Sequence, residues 1–446
     1  MFPNPQAALP LTKNPTVKKY QNLAQQLLRA ARAFNAGDEA AITKWTEKWV
    51  EPLELSKVTT KDAKRLQRMI DRKVDEVETF VTQTLVSKNS KRTLSRARYA
   101  IASVHGFKSW ATFVKHLTAL SQNSSTIARF EKAADAIVDG DLKTLKRLLK
   151  QEPKLVRTSS TREHHAKLLH YVSANGVEGY RQKTPSNIVA ITKALLDAGA
   201  NVNAEAVVYG GSATTLGLVA TSSPPRNAGV QNELLGLLID YGANIDHPTA
   251  AGRSSAVNGC LANGCFNAAA YLANNGAALN LEAAAGVGRL DLVEKFFNAS
   301  GVRKNVKRKE LVSGFLYACA WGQTNVVRFM LEHGVSPAVH RGDGQSGPHW
   351  AAIAGQLEIL KLLLKFEAPL ESKNMYGGTV LGQTLWSAAH GGDPKVYSEF
   401  IETLIAAGAK LNDRHVPVNK TIDDLLRKYG SVPEPTWYWY GEKPRN

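Results

Sequence analysis

Cysteine is nearly absent: three residues in 446, with only four methionines. Cys260, Cys265 and Cys319 are too few for a disulfide framework and make no Cys-x-x-Cys pair. Each lies among Ala and Leu, where a small apolar side chain packs, so buried free thiols in a reducing compartment are expected. Long hydrophobic runs are missing as well. The stretch from Ile188 to Leu196 is interrupted by Thr192 and Lys193, well short of the roughly 20 apolar residues that span a bilayer. Residues 1–15 lack a basic patch followed by an apolar run, so no secretory signal is expected and a cytoplasmic location is. No membrane contact is expected either. Phosphate-cradling loops of the type GxxxxGK[ST], nucleophile elbows GxSxG, zinc helices HExxH and Gly-rich dinucleotide loops are all lacking. The densest titratable cluster is Glu163-His164-His165, and two adjacent His cannot share a helix face. No catalytic residue, metal or cofactor is therefore expected, although an enzyme built on surface loops stays open as a less favoured alternative.

What is present describes a folded chain: 43% hydrophobic and 21% charged residues. The net charge of +17 is uneven. Residues 1–126 hold 21 Lys/Arg against 10 Asp/Glu, an excess of +11; the other 320 residues hold 35 against 29, an excess of +6. An acidic partner would be sought at the N-terminal region, and nucleic-acid association there is the alternative functional reading.

A phrase recurs along the chain: two apolar residues, a short gap, then Gly-Ala and an Asn or Asp. It appears at Leu195-Leu196 with Gly199-Ala200-Asn201, and at Leu237-Leu238 with Gly242-Ala243-Asn244. Tyr271-Leu272, Met330-Leu331, Leu363-Leu364 and Leu404-Ile405 continue the series. Phe296-Phe297 marks a shorter unit and Leu148-Leu149 an earlier one. About eight helix pairs follow, each with a second helix patterned like Leu357, Leu360, Leu363 and Leu364. One such pair cannot bury its own apolar stripe, so the pairs stack.

Ser346-Gly347-Pro348-His349-Trp350-Ala351-Ala352 is similar to the ankyrin signature Thr-Pro-Leu-His-x-Ala, and His170 occupies the same place in its unit. The chain therefore resembles the ankyrin repeat family. The resemblance implies an all-α solenoid over residues 126–412, with short hairpin fingers, preceded by a small basic helical domain (1–125) and followed by a capping helix and aromatic tail (413–446). It implies that His170 and His349 brace the turn before the first helix through backbone hydrogen bonds. It also implies a scaffold, not an enzyme, that binds a partner protein or peptide on its concave and finger face. Residues 94–110, ending His105-Gly106-Phe107-Lys108-Ser109-Trp110, are similar to a leader found ahead of many bacterial ankyrin arrays. Phe107, Trp110 and Phe113 are expected in the core of the helical domain, beside an amphipathic helix from Lys61 to Val86.

Departures from the repeat point to candidate contact residues. Insertions at 175–185 and 222–231 enlarge the same connection in adjacent units, so stacking should set them side by side as a lobe bearing Tyr180, Arg181 and Arg226. The alternative is two polar loops that fasten to each other. Arg303, Lys304, Lys307, Arg308 and Lys309 place five cations in seven residues where a finger should project. Tyr209, His247, His340, Arg341 and Tyr376 are the remaining finger candidates. Trp437, Tyr438, Trp439 and Tyr440 are expected to cover the last repeat or anchor a partner. A monomer is expected.

Overall fold

The computed structural model describes residues 5–55, 63–87, 92–247, 255–299 and 301–434. The aromatic tail at 437–440 lies outside them. The chain divides into two compact units, Met1–Leu272 and Ala273–Asn446.

The first unit begins with five helices: α1 (Val17–Asn35), α2 (Ala41–Leu55), α3 (Ala63–Leu85), α4 (Leu94–Val104) and α5 (Trp110–Leu120). α3 presents the expected stripe, with Ile70, Val74, Val77, Val81 and Leu85 buried and Leu66 packed at its edge. Phe107 and Phe113 are fully buried, and Trp110 packs against the same cluster. His105 sits among these rings, stacked on Phe113 at 5.3 Å. Burial pushes its pKa down to about 3, so it is neutral at physiological pH.

Four helix pairs complete the unit. The first is α6 (Thr126–Asp139) with α7 (Leu142–Gln151). In the second, a 3₁₀ turn (Leu168–Ser173) replaces the first helix and pairs with α8 (Ile188–Asp197). A hairpin of β1 (Glu205–Val208) and β2 (Gly211–Thr214) then leads to α9 (Thr215–Ala220), short α10 (Ser223–Asn227) and α11 (Gln231–Asp240). The hairpin turns through Tyr209 and Gly210, both with positive φ (53° and 79°), the geometry that matches the right-handed twist of the strands. α12 (Ala256–Ala262) and α13 (Phe266–Asn274) form the fourth pair.

The second unit repeats the theme with fewer interruptions. Its pairs are α14 (Leu281–Val287) with α15 (Leu290–Val293), α16 (Arg308–Ala320) with α17 (Thr324–Glu332), α18 (Gly347–Ala354) with α19 (Leu357–Lys365), and α20 (Val380–Ala389) with α21 (Pro394–Ala406). Between the first two pairs lies a minimal hairpin of β3 (Phe297–Asn298) and β4 (Gly301–Val302). First helices pack on first helices and second helices on second helices. One continuous aliphatic core results, from Leu281 through Phe315, Leu360 and Phe400 to Leu426. β5 (Arg414–His415) pairs in parallel with β6 (Val432–Pro433), and α22 (Lys420–Lys428) lies between them in sequence and packs on α21. α22 buries Ile422, Leu425 and Leu426, which gives the last repeat the covered edge that a terminal repeat needs. The eight pairs and this helix correspond to the sequence reading. All three cysteines are buried and free.

Candidate functional site

The histidines of the signature do as their position implies. His170 Nδ1 accepts from the Lys167 amide (3.1 Å), which leaves Nε2–H to donate to the Ala204 carbonyl (3.0 Å) in the next finger. His349 repeats this with Ser346 and the Gly378 carbonyl (3.2 Å). Burial lowers both pKa values, His170 to about 4, which keeps the neutral ring that the two bonds require. These His are structural clasps between consecutive repeats.

Residues 175–185 form a closed structure and display little. Glu131 of α6, Arg162 and Glu178 are buried, and Arg181 is only 4% exposed. Arg162 reaches Glu131 at 2.7 Å and Glu178 at 3.0 Å; Arg181 reaches Glu131 at 2.8 Å and Asp135 at 2.8 Å. Phe107 lies under the Arg162 guanidinium, and Tyr171 and Tyr180 flank that of Arg181. Burial alone would raise the pKa of Glu131, but the two guanidiniums outweigh it and hold the carboxyl at about 2. The same opposition holds Glu178 well below the usual carboxylate range. Both carboxylates are thus ionised and ion-paired with the arginines, Glu178 through Oε1, an arrangement unlike an open acid–base pair.

Arg181 therefore stands corrected as a contact residue, because its guanidinium is buried in ion pairs. Tyr180 is half-buried against the same groups. Tyr209 keeps an exposed ring edge, but its hydroxyl is engaged by Gln6 (2.7 Å), Gly176 (3.3 Å) and Asn175. Arg226 is exposed and donates to the Gly264 carbonyl of the following helix pair (2.8 Å). His247 meets Glu205 at 2.7 Å. The two insertions do lie side by side, since Asn175 donates to Leu218 O and Thr221 Oγ1, and Ser222 to Ala174 O. They fasten to each other at their bases, and the first of them also packs on the N-terminal segment. A Cβ on Gly179 would run into the Gln6 carbonyl, so only glycine fits there.

The second unit places its departures outside. Arg303, Lys304, Lys307, Arg308 and Lys309 are exposed. They do not all project as a finger: Lys307 is the N-cap of α16, and Arg308 and Lys309 are in its first turn. Lys307 makes no capping bond, and cations at a helix N-terminus oppose the backbone dipole. Tyr376 is 81% exposed at a finger tip beside Met375. His340 is exposed on the preceding finger, and Arg341 lies 5.5 Å from the Trp350 ring centre.

An unforeseen feature links these fingers. Tyr317, Trp350 and Trp386 each stand five residues before a positive-φ glycine, Gly322, Gly355 and Gly391, at the end of α16, α18 and α20. Equal register on stacked first helices sets the three rings on one face. Tyr317 meets Trp350 edge-on at 5.9 Å, and Trp386 stacks on His390 at 4.1 Å. Exposure rises along the column, from 3% at Tyr317 to 56% at Trp386, with exposed Ile353 beside it. The spacing is regular in the sequence when counted from those glycines and not from the Leu-Leu pairs.

A family model for ankyrin repeats matches residues 281–374 and 315–415, with three copies. Residues 281–415 therefore belong to the ankyrin repeat family. These matched repeats are those of the second unit, which carry the aromatic column. Among solved structures it is similar to the human ASB11 ankyrin repeat domain, at 20% identity over 63% of this chain and 99% of that one, with a TM-score of 0.34. Ankyrin repeats are in general protein–protein interaction modules. Among the described residues no group of three or more His, Cys, Asp or Glu is placed to hold a metal, and no helix is long and apolar enough to cross a membrane.

Proposed function

We propose that the second unit binds a segment of a partner protein across the face carrying Tyr317, Trp350 and Trp386. The outer end of the column supports this reading because a core does not need it: Trp386 and Ile353 are exposed in a unit whose other large apolar groups are mostly buried. Around it, His340, Arg341, Tyr376 and the cations at 303–309 supply a polar, mostly basic rim, which suits a segment of acidic character. The leader to about residue 125 and the cap after 412 support the array as structural ends, and the protein works as a monomeric scaffold.

The test is quantitative capture on the full chain, comparing wild type with Trp386→Ala and with Lys183→Glu on the insertion. One protein depleted by Trp386→Ala and retained by Lys183→Glu supports the proposal. The reverse pattern contradicts it. The leader's positive charge alone does not favour nucleic acid, since Trp45, Trp49, Phe107 and Phe113 are core residues and cannot stack on bases.

A further inference from the structure

The first unit has an open groove of about 610 Å³ between α7 and α8, on the second helices and not on the first. Leu142, Leu149 and Pro153 form one wall; Ala190, Ala194 and Ala198 form the other. Lys146 and Lys150 stand on the α7 side and Lys193 on the α8 side.

The charges are one-sided. α7 carries Lys143, Lys146, Arg147 and Lys150 and no acid within its ten residues. The rim's one carboxylate, Asp197, is held by Lys193 at 2.9 Å and by the Tyr241 hydroxyl. Its charge is therefore already met within the chain, chiefly by these two groups and more weakly by Lys146, and neither Lys146 nor Lys150 forms a close ion pair among the described residues. By contrast α19, its counterpart in the second unit, balances Lys361 against Glu358 at 2.9 Å.

We propose that this groove docks an acidic amphipathic helix of a partner protein. Its apolar stripe would lie against Leu142, Leu149 and the small wall of α8, and its carboxylates would meet Lys146 and Lys150. Spacing supports a helical occupant: Ala190, Ala194 and Ala198 repeat every four residues, as do Leu142, Lys146 and Lys150, so both walls run parallel to helix axes. Charge complementarity sets the sign of the partner. This site is independent of the aromatic column.

The experiment uses the full chain and two labelled helical peptides of Leu and Ala with either Glu or Lys on the polar face, read by fluorescence anisotropy. The Glu peptide should bind saturably and the Lys peptide should not. Lys146→Glu with Lys150→Glu should weaken the Glu peptide by roughly tenfold or more, since two attractions become repulsions. Ala194→Trp should block it by filling the groove, while Lys361→Glu, a charge reversal at an exposed position of α19 outside the groove, should leave it unchanged. Absence of saturable binding, equal binding of both peptides, or full affinity in Ala194→Trp overturns the proposal. So does binding of vesicles rich in anionic lipid without binding of the Glu peptide, which would make the groove a membrane contact. Should Ala194→Trp lose its helical circular dichroism, the double Lys variant, confined to exposed positions, still decides.

Discussion

The two units build the same helix pair on different physics. In the first, the second repeat gives up a regular first helix, and its place is held by two arginines and two glutamates buried together. In the second, aliphatic packing from Leu281 to Leu426 does the work, and irregular residues are left on the surface. The comparison separates two kinds of departure from a repeat. An insertion whose charges face inward repairs the fold; aromatic and basic residues that face outward are free to meet something else.

The sharpest way to break the comparison is to remove one buried charge. Glu178→Ala leaves Arg162 and Arg181 short of a counter-ion and should destabilise the first unit by about 3–5 kcal/mol. Hydrogen exchange read by mass spectrometry should show protection lost over 126–200 and kept over 310–410. Leu360→Ala, in the core of the second unit, should do the reverse at a cost of about 2–5 kcal/mol.

Acid should also distinguish the units. His105, His116 and His170 in the first are neutral, with pKa values lowered by burial to about 3, 4 and 4 from 6.5. A histidine depressed in this way contributes stability above pH 6.5 and loses it progressively as pH falls toward 4 and 3. Glu131, held at about 2, adds a second loss from about pH 4.5 downward. Among the described residues the second unit holds one histidine lowered by burial, His349, against three in the first, so the first unit should lose exchange protection at higher pH than the second. Equal acid midpoints would mean that the buried ionic cluster and the buried histidines do not control its stability.

The smallest effect concerns the basic run. Lys307→Asp gives α16 the cap that it lacks and should raise stability by about 0.5–1 kcal/mol, read as a higher midpoint in urea. A partner that needs these cations would at the same time bind less well. A fall in stability would show instead that Lys307 supports the fold.

The sequence disclosed the repeat because its features are local. The Leu-Leu and Gly-Ala phrases, the helix at 63–85, and His170 and His349 all follow from periodicity within a few turns. The ionic cluster could not be read this way. Glu131 and Arg162 are 31 residues apart, and Arg181 lies 50 from Glu131, with no pattern joining them. What pointed to it was weak: one glutamate on the buried side of α6, next to Phe130. Arg181 was misread as a display residue for the same reason, since a loop arginine gives no hint of a distant carboxylate. The aromatic column is intermediate. Its spacing is regular, but only when counted from the glycines that end the helices, and its graded exposure follows from packing that no spacing encodes.

The central claim is that binding belongs to the face of Trp386 and not to the insertion of the first unit. Its most direct test places a photo-crosslinking amino acid at position 386 in one full-length chain and at position 183, half-exposed on the insertion, in another. Irradiation in native extract, followed by mass spectrometry, should yield one dominant adduct from position 386 and none above background from position 183. A dominant adduct from 183 with none from 386 would contradict the account.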